Sequence, residues 1–385
     1  MQKALYIEDF IFKPQIDSNI RAHASCIIET PEGNLLAVWY QNGPQGDSYY
    51  YKSGDWDKTG DVHIRGAWRL KGADSWGETF IMADTFGVSD NNPTLAIDKQ
   101  NRLWFFYVTL LAVPEKLWES SLLRYKVSSE YEALTPPRWD KEDILILHPE
   151  DFDEVIARET NKLRRSKSRR NKDYVEMANI LIDKLKDPFN RGLGWMPRAH
   201  PSVLKDGTLM LPLANENFDI AAMAFTTDGG KSWKTSKMVP GLGVIQPSIV
   251  QHEDGRLVAY FRDASNCQRI KYSESFDNGI SWFEVKTTDL PNPGSGVEAL
   301  LLQSGNLLMV YNDKEKGRDR LAVSISTDGG KSWKWTRHIE SEEGQSFCYP
   351  SVIQSKDGLI HVTYSYKHIT IKHVCFNEAW VMKSV

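Results

Sequence analysis

Six similar phrases in this chain open on, or beside, polar residues of the types that do chemistry. His23 opens HASCIIETPEGNLLAVWY, Asn92 opens NPTLAIDKQNRLWFFYV and His200 opens HPSVLKDGTLMLPLA. Gln246 opens QPSIVQHEDGRLVAYF and Tyr349 opens YPSVIQSKDGLIHVTY. The remaining phrase, GVEALLLQSGNLLMVY from Gly296, has Ser295 just before it and Glu298 just inside it. Arg21 and Arg198 each stand two residues ahead of a histidine. Imidazole titrates near neutrality and suits acid–base work. A phenol donates a proton or, deprotonated, attacks as a nucleophile. Guanidinium pairs directionally with carboxylate. Taken singly, the Asn and Gln serve equally well to satisfy backbone groups. Brought together, the set is that of a polar-ligand site.

What would bring them together is the element each phrase encodes. Apolar positions, a turn (mostly D-G or a related pair) and a second apolar run read as two antiparallel strands. A second repeat gives the scale. Thr226-x-Asp228-x-Gly230-x-Ser232-Trp233 recurs from Ser275 to Trp282 and from Ser326 to Trp333, so its copies start 49 and 51 positions apart. About 50 residues is one four-stranded propeller blade. The Asp accepts N–H bonds in a tight turn, Gly permits positive φ, and Trp fills the gap between neighbouring sheets. These features predict an all-β, six-bladed β-propeller in one domain over 1–385, whose innermost strands begin around a single funnel mouth.

The step from Asn92 to His200 is 108 positions, against 46 from His200 to Gln246. The excess carries DFDEVIARETNKLRRSKSRRNKDYVEMANILIDKLKD, apolar at helical spacing. It predicts an insertion over 113–194, with two helices, between the second and third blades. The basic run Arg164–Arg170 inside it lacks interleaved aromatics and reads as a solvated linker.

A formal charge of −4 gives no electrostatic case for nucleic acid or an anionic membrane, and no apolar run is long enough to span a bilayer. Cys26, Cys267, Cys348 and Cys375 form no C-x-x-C pair, and neither H-E-x-x-H nor D-x-D-x-D-G occurs. No metal or other cofactor is therefore expected. The first residues lack a basic segment followed by an apolar one, which predicts a cytoplasmic protein. Oligomeric state is not legible.

The Thr226–Trp233 phrase resembles the Asp box of the sialidase (BNR-repeat) superfamily, and the resemblance extends over most of the chain outside the insertion. Tyr349-Pro350-Ser351-Val352 before Asp357-Gly358 resembles the unit that carries the family's nucleophilic Tyr. Arg262 resembles one of three arginines that clamp the sugar carboxylate, and Arg320 another. Gln246 stands where the family has the Glu that activates the Tyr, so His23 or Glu298 would have to act as base. The family's first clamp arginine is replaced at Arg21-Ala22-His23, and the Glu that orients it at Thr363-Tyr364-Ser365. For the acid/base Asp, in the loop after the first blade's inner strands, Asp47 and Asp61 are both open. Pro291-Asn292-Pro293-Gly294-Ser295-Gly296 is similar to a bacterial sialidase-like group with a His in its first blade. The resemblance implies an exo-glycosidase acting on a terminal, acidic sugar of a glycan. Tyr349 would be nucleophile or proton donor, and His23 or His200 acid/base. A His/Tyr lyase, a rhamnosidase acting beside a uronate and a non-catalytic sugar-binding propeller are the alternatives.

Overall fold

The computed structural model describes residues 3–43, 56–112, 116–166 and 171–383. Its strands form six antiparallel sheets, one per blade. Blade 1 is β2 (Ala22–Glu29), β3 (Leu35–Gln41), β4 (His63–Arg69) and β5 (Phe80–Ala83). Blade 2 is β6 (Ser89–Ile97), β7 (Leu103–Ala112), β8 (Lys116–Ser128) and β9 (Lys141–Ile144). Blade 3 has its inner strand broken into β10 (Trp195–Met196) and β11 (Ser202–Val203), followed by β12 (Leu209–Asn215), β13 (Ile220–Thr226) and β14 (Lys234–Thr235). Blade 4 is β15 (Val244–Gln251), β16 (Leu257–Asp263), β17 (Arg269–Ser275) and β18 (Lys286–Pro291). Blade 5 is β19 (Glu298–Leu301), β20 (Leu307–Asn312), β21 (Arg320–Ser326) and β22 (Trp335–Ser341). Blade 6 is β23 (Phe347–Gln354), β24 (Ile360–Tyr366) and β25 (Thr370–Phe376), with β1 (Tyr6–Phe10) as its outer strand. Tyr6 lies opposite Phe376 and Phe10 opposite Lys372, so chain segments from opposite ends of the sequence complete one sheet and close the ring.

The second strand of a blade is covered on both faces by neighbouring sheets. All seven residues of β3, LLAVWYQ, and of β12, LMLPLAN, are buried. This is why those strands read as continuous apolar runs. The Asp-box tryptophans sit between blades. Trp233 meets Trp104 edge-on with ring centres 6.0 Å apart, and Trp333 meets Tyr260 at 6.4 Å. Gly230, at φ +81°, leaves the room Trp104 needs: a Cβ there would lie 2.5 Å from the Trp104 ring.

The span 113–194 divides differently from expectation. β8 and β9 use its first thirty or so residues as the outer half of blade 2, because KLWESSLLRYKVS pairs along β7 from Leu103 to Ala112. Helices follow at Phe152–Arg164, Asn171–Leu185 and, for one turn, Pro188–Gly192. The last is capped by Asp187, whose carboxylate accepts from the Phe189 N–H at 3.0 Å. Phe152, Val155, Ile156 and Leu181 pack into the core between blades 2 and 3. Among the described residues, no helix is long and apolar enough to cross a membrane.

Candidate functional site

Four inner strands carry the same irregularity. The pairing register slips between His23 and Cys26, Asn91 and Thr94, Ile245 and Ser248, and Cys348 and Ser351. Inside these slips Ala24, Asn92, Gln246 and Tyr349 hold φ of 53°, 48°, 51° and 55°, the left-handed region. Such strain costs on the order of 1–3 kcal/mol per residue, and a bulge re-aims the side chain that carries it. Asn92, Gln246 and Tyr349 consequently line an axial cavity of about 330 Å³. In blade 1 the strained residue is Ala24, and its neighbour His23 reaches the cavity.

Tyr349 stands on the wall of that cavity amid its cations. Its hydroxyl oxygen accepts a hydrogen bond from Arg262 Nη1 at 2.7 Å. The guanidinium carbons of Arg198, Arg318 and Arg262 lie 4.9, 5.4 and 6.0 Å from the ring centre. The His23 ring lies 4.3 Å away, tilted by 49°. His23 Nδ1 is 2.7 Å from Ser365 Oγ, which also accepts from the Ala24 N–H at 3.0 Å. Burial, then the positive neighbours His368, Arg318, Arg198 and Arg262, hold the His23 imidazole well below its usual range. It is a neutral base at neutral pH.

Behind Tyr349 lies a second layer that does not line the cavity. His200 Nε2 is 2.6 Å from the Ile27 carbonyl oxygen, which only accepts, so Nε2 carries a proton. His200 Nδ1 is 2.7 Å from Glu298 Oε1. Burial opposes the imidazolium, but Cys26 and Glu298 outweigh it and raise His200 well above its usual range. The other Glu298 oxygen accepts from the Val352 N–H at 2.7 Å. Arg198 donates to the carbonyl oxygens of Ser25 and Pro350 at 3.2 and 3.1 Å. His200, Glu298 and Arg198 thus tie blades 1, 3, 5 and 6 together beneath the Tyr349 ring.

Residues 189–362 match the BNR repeat-like domain family. A sialidase of Bacteroides fragilis is 25% identical over 208 residues, covering 50% of this chain and 38% of that protein. Together these matches support the sialidase (BNR-repeat) superfamily. The chain spans less than half the length of the curated sialidases it matches, 38% of the one above and 26% of one from Micromonospora viridifaciens. The solved structure of the Hadza microbial sialidase Hz136 is similar at TM-score 0.68 and 14% identity, over 94% of this chain and 66% of that one. A protein of unknown function from Dyadobacter fermentans is similar at TM-score 0.67 and 15% identity, over 96% of this chain and 97% of that one. These likenesses carry the fold.

Set against that resemblance, the chain places its expected site residues unevenly. His23, Asn92, Gln246, Arg262 and Tyr349 share the cavity wall. Arg320 does not reach it; Arg318, two residues earlier in the loop before β21, does. Arg318 Nη2 donates to the Gly294 carbonyl at 3.0 Å. Arg21 turns back to the carbonyl oxygens of Ser18 and Ile20 at 2.9 and 3.0 Å, away from the cavity. Ser295 is fully buried in the turn built on Asn292, whose Oδ1 accepts the Ser295 N–H at 3.2 Å. Asp61 is held by Thr59 Oγ1 at 2.5 Å and is not on the wall, while Asp47 lies outside the described residues.

Two carboxylates that sequence reasoning missed are on the wall: Asp57, in the short 3-10 turn Trp56–Lys58, and Glu216, just past β12. Neither belongs to a repeated phrase. Asp57 falls between Asp47 and Asp61 in the loop already singled out, and that is the one signal the sequence offered.

Among the described residues, His23, Cys348 and His368 offer N, S and N atoms all within 4.8 Å of one another, the cluster best suited to a soft metal ion. Arg318 Nη1 stands 3.9 Å from Cys348 Sγ, and the field of Arg198, Arg262 and Arg318 opposes a cation there. The same field favours an anion. Buried atoms with no protein partner include Arg198 Nε, Arg262 Nε, Gln246 Oε1 and His368 Nδ1, all at this site.

Proposed function

We propose that the protein is an exo-acting glycosidase that hydrolyses a terminal, carboxylate-bearing sugar from a glycan. The observation that carries this reading is the Tyr349 hydroxyl, held by Arg262 in a cavity whose wall also carries Arg318 and a neutral His23. A sugar carboxylate seated on Arg262 and Arg318 gains charge-assisted, directional hydrogen bonds. That seat brings the anomeric carbon to the phenol.

A phenol is neutral near pH 7 and attacks only if its proton leaves. With the sugar carboxylate offsetting the arginines, His23 accepts that proton. The Tyr349 oxygen then forms a bond to the anomeric carbon as the glycosidic C–O bond breaks. Arg262 stabilises the phenolate character at the oxygen it already touches. The leaving oxygen takes its proton from a carboxyl on the wall; Asp57 stands in the loop where the resemblance expects the acid. Water, losing its proton to the same carboxylate, then cleaves the Tyr–sugar bond. His23 returns its proton to Tyr349, and the net reaction adds one water.

Gln246 favours a second reading, because its amide cannot accept a proton where the family has a Glu. A neutral His23 against Tyr349 also suits removal of the proton α to a uronate carboxylate, with the arginines stabilising the enolate. Product masses decide. Incubation with sialosides and with rhamnose- or uronate-capped oligosaccharides is expected to release a terminal acidic sugar with gain of one water. Products that sum to the substrate mass would establish a lyase instead. No product from any member would remove the glycosidase reading.

A further inference from the structure

Among the described residues, Glu216 and Asp57 are the two carboxylates on the cavity wall. Asp57 is engaged by neighbours, whereas the Glu216 side chain makes no hydrogen bond and no ion pair within 4 Å among the described residues. Its backbone is nevertheless fixed. The Glu216 N–H donates to the Gly194 carbonyl at 2.9 Å, and Lys184 Nζ donates to the Asn217 carbonyl at 3.2 Å. Asn217 Nδ2 is within 3.3 Å of the carbonyls of Glu119, Asn190 and Leu193. The helical insertion thus clamps the turn that presents an uncommitted carboxyl to the site.

The charged groups around Glu216 come from several elements. Arg262 on β16 attracts it, while Asp219 on its own turn and Glu119 on β8 repel it. Lys184 of the Asn171–Leu185 helix acts on Asp219. Asp57, Lys58, His23, His368 and Arg318 line the same cavity. Burial pushes the Glu216 carboxyl up, Arg262 pulls it back, and Asp219 and Glu119 push again, leaving it at about 7.

We propose that Glu216 senses the charge of the bound sugar: a carboxylate seated on Arg262 and Arg318 forces one proton from solvent onto Glu216, while a neutral sugar does not. A second anion beside Arg262 in a low-dielectric cavity cannot share that cation with an ionised Glu216. This makes Glu216 a specificity-determining residue, and it rests on the carboxylate seat proposed above.

The test is calorimetric titration with N-acetylneuraminate, glucuronate and, as neutral control, rhamnose. Each is run at pH 6 and pH 8, in two buffers of different ionisation enthalpy. At pH 8 close to one proton should be taken up per acidic sugar bound, and almost none at pH 6. Affinity for the acid should be about tenfold weaker at pH 8, the linkage expected of a group titrating near 7. Cys348, also lowered to about 7 by His368 and Arg318 against the effect of burial, titrates in the same window. The assignment therefore comes from E216Q, which should abolish both the uptake and the slope. An acidic sugar that binds with buffer-independent heats, or an E216Q that keeps the slope, overturns this inference and leaves the carboxylate seat standing. If neither acid binds, the seat itself is wrong and the inference falls with it.

Discussion

Tyr349 and Arg318 are where single substitutions should speak most clearly. Tyr349→Phe removes the oxygen that Arg262 holds and little else. Turnover should fall on the order of 10³-fold while affinity for the acidic sugar changes little, since only the transition state loses the interaction. Equilibrium binding and single-turnover kinetics, measured side by side, check the split. Arg318→Ala should weaken binding of an acidic sugar roughly 10- to 100-fold, as expected for a lost hydrogen bond to a charged group. Arg320→Ala should leave binding unchanged, because Arg320 is off the wall. If the two variants exchange behaviour, the register assigned to the start of β21 is wrong. The contrast also shows what was legible. Tyr349, His23, Asn92 and Gln246 could be found because each opens one of the repeated phrases, at the bulge of an inner strand. Arg318 could not, because it lies in a loop whose length no repeat dictates. Glu216 and Asp57 were hidden for the same reason.

The elements that position these residues were easier to read than the residues. Three Asp boxes and six strand–turn–strand phrases account for the blades, and each box packs its Gly, and two of them their Trp, against the sheet before it. The insertion was misjudged at its start, since β8 mixes charged and apolar residues in a way that periodicity alone does not assign to a strand. The boxes themselves are structural. Asp277 accepts from the Ser281 N–H at 2.9 Å, Ser281 Oγ at 2.5 Å and Ser275 Oγ at 2.8 Å. Asp277→Ala should cost about 1–2 kcal/mol and lower the melting temperature by a few degrees. Activity below the transition should be intact. A variant that melts like the parent but loses turnover would show that a box at the rim takes part in the chemistry.

The whole ring depends on the junction of blades 6 and 1, and that junction should be acid-labile. Arg69 on β4 can only donate, so His373 Nδ1, 3.3 Å away, accepts. His373 Nε2 therefore donates to His361 Nδ1 at 3.0 Å, and His361 Nε2 to Ser355 Oγ at 3.1 Å. Ser355 Oγ in turn donates to Asp357 at 2.5 Å. The order requires both imidazoles to be neutral. Burial first, then Arg69 against the pull of Asp357, lowers His361 to about 4, and His373 is held well below its usual range by burial, His361 and Arg69. Between about 6.5 and 4 these two histidines bind more protons in the unfolded chain than in the folded one, so the stability they contribute falls as pH falls through that window. His361 alone would contribute on the order of 3 kcal/mol. Melting temperatures measured from pH 7.5 to 4.5 should decline, and His361→Gln should flatten part of the decline. A flat wild-type profile would contradict the neutral pair.

The pairing of Tyr6 with Phe376 also sets a timetable. At a synthesis rate of about 5–20 residues per second, β1 leaves the ribosome roughly 20 to 70 seconds before β25 exists to receive it. Blades 1 to 5 can pair within themselves as they emerge, since their strands are near neighbours in sequence. Only the last sheet must wait, with β1 unpaired. A nascent chain stalled before Thr370 would hold an open arc of blades, with no strand for β1 to join and no closed funnel.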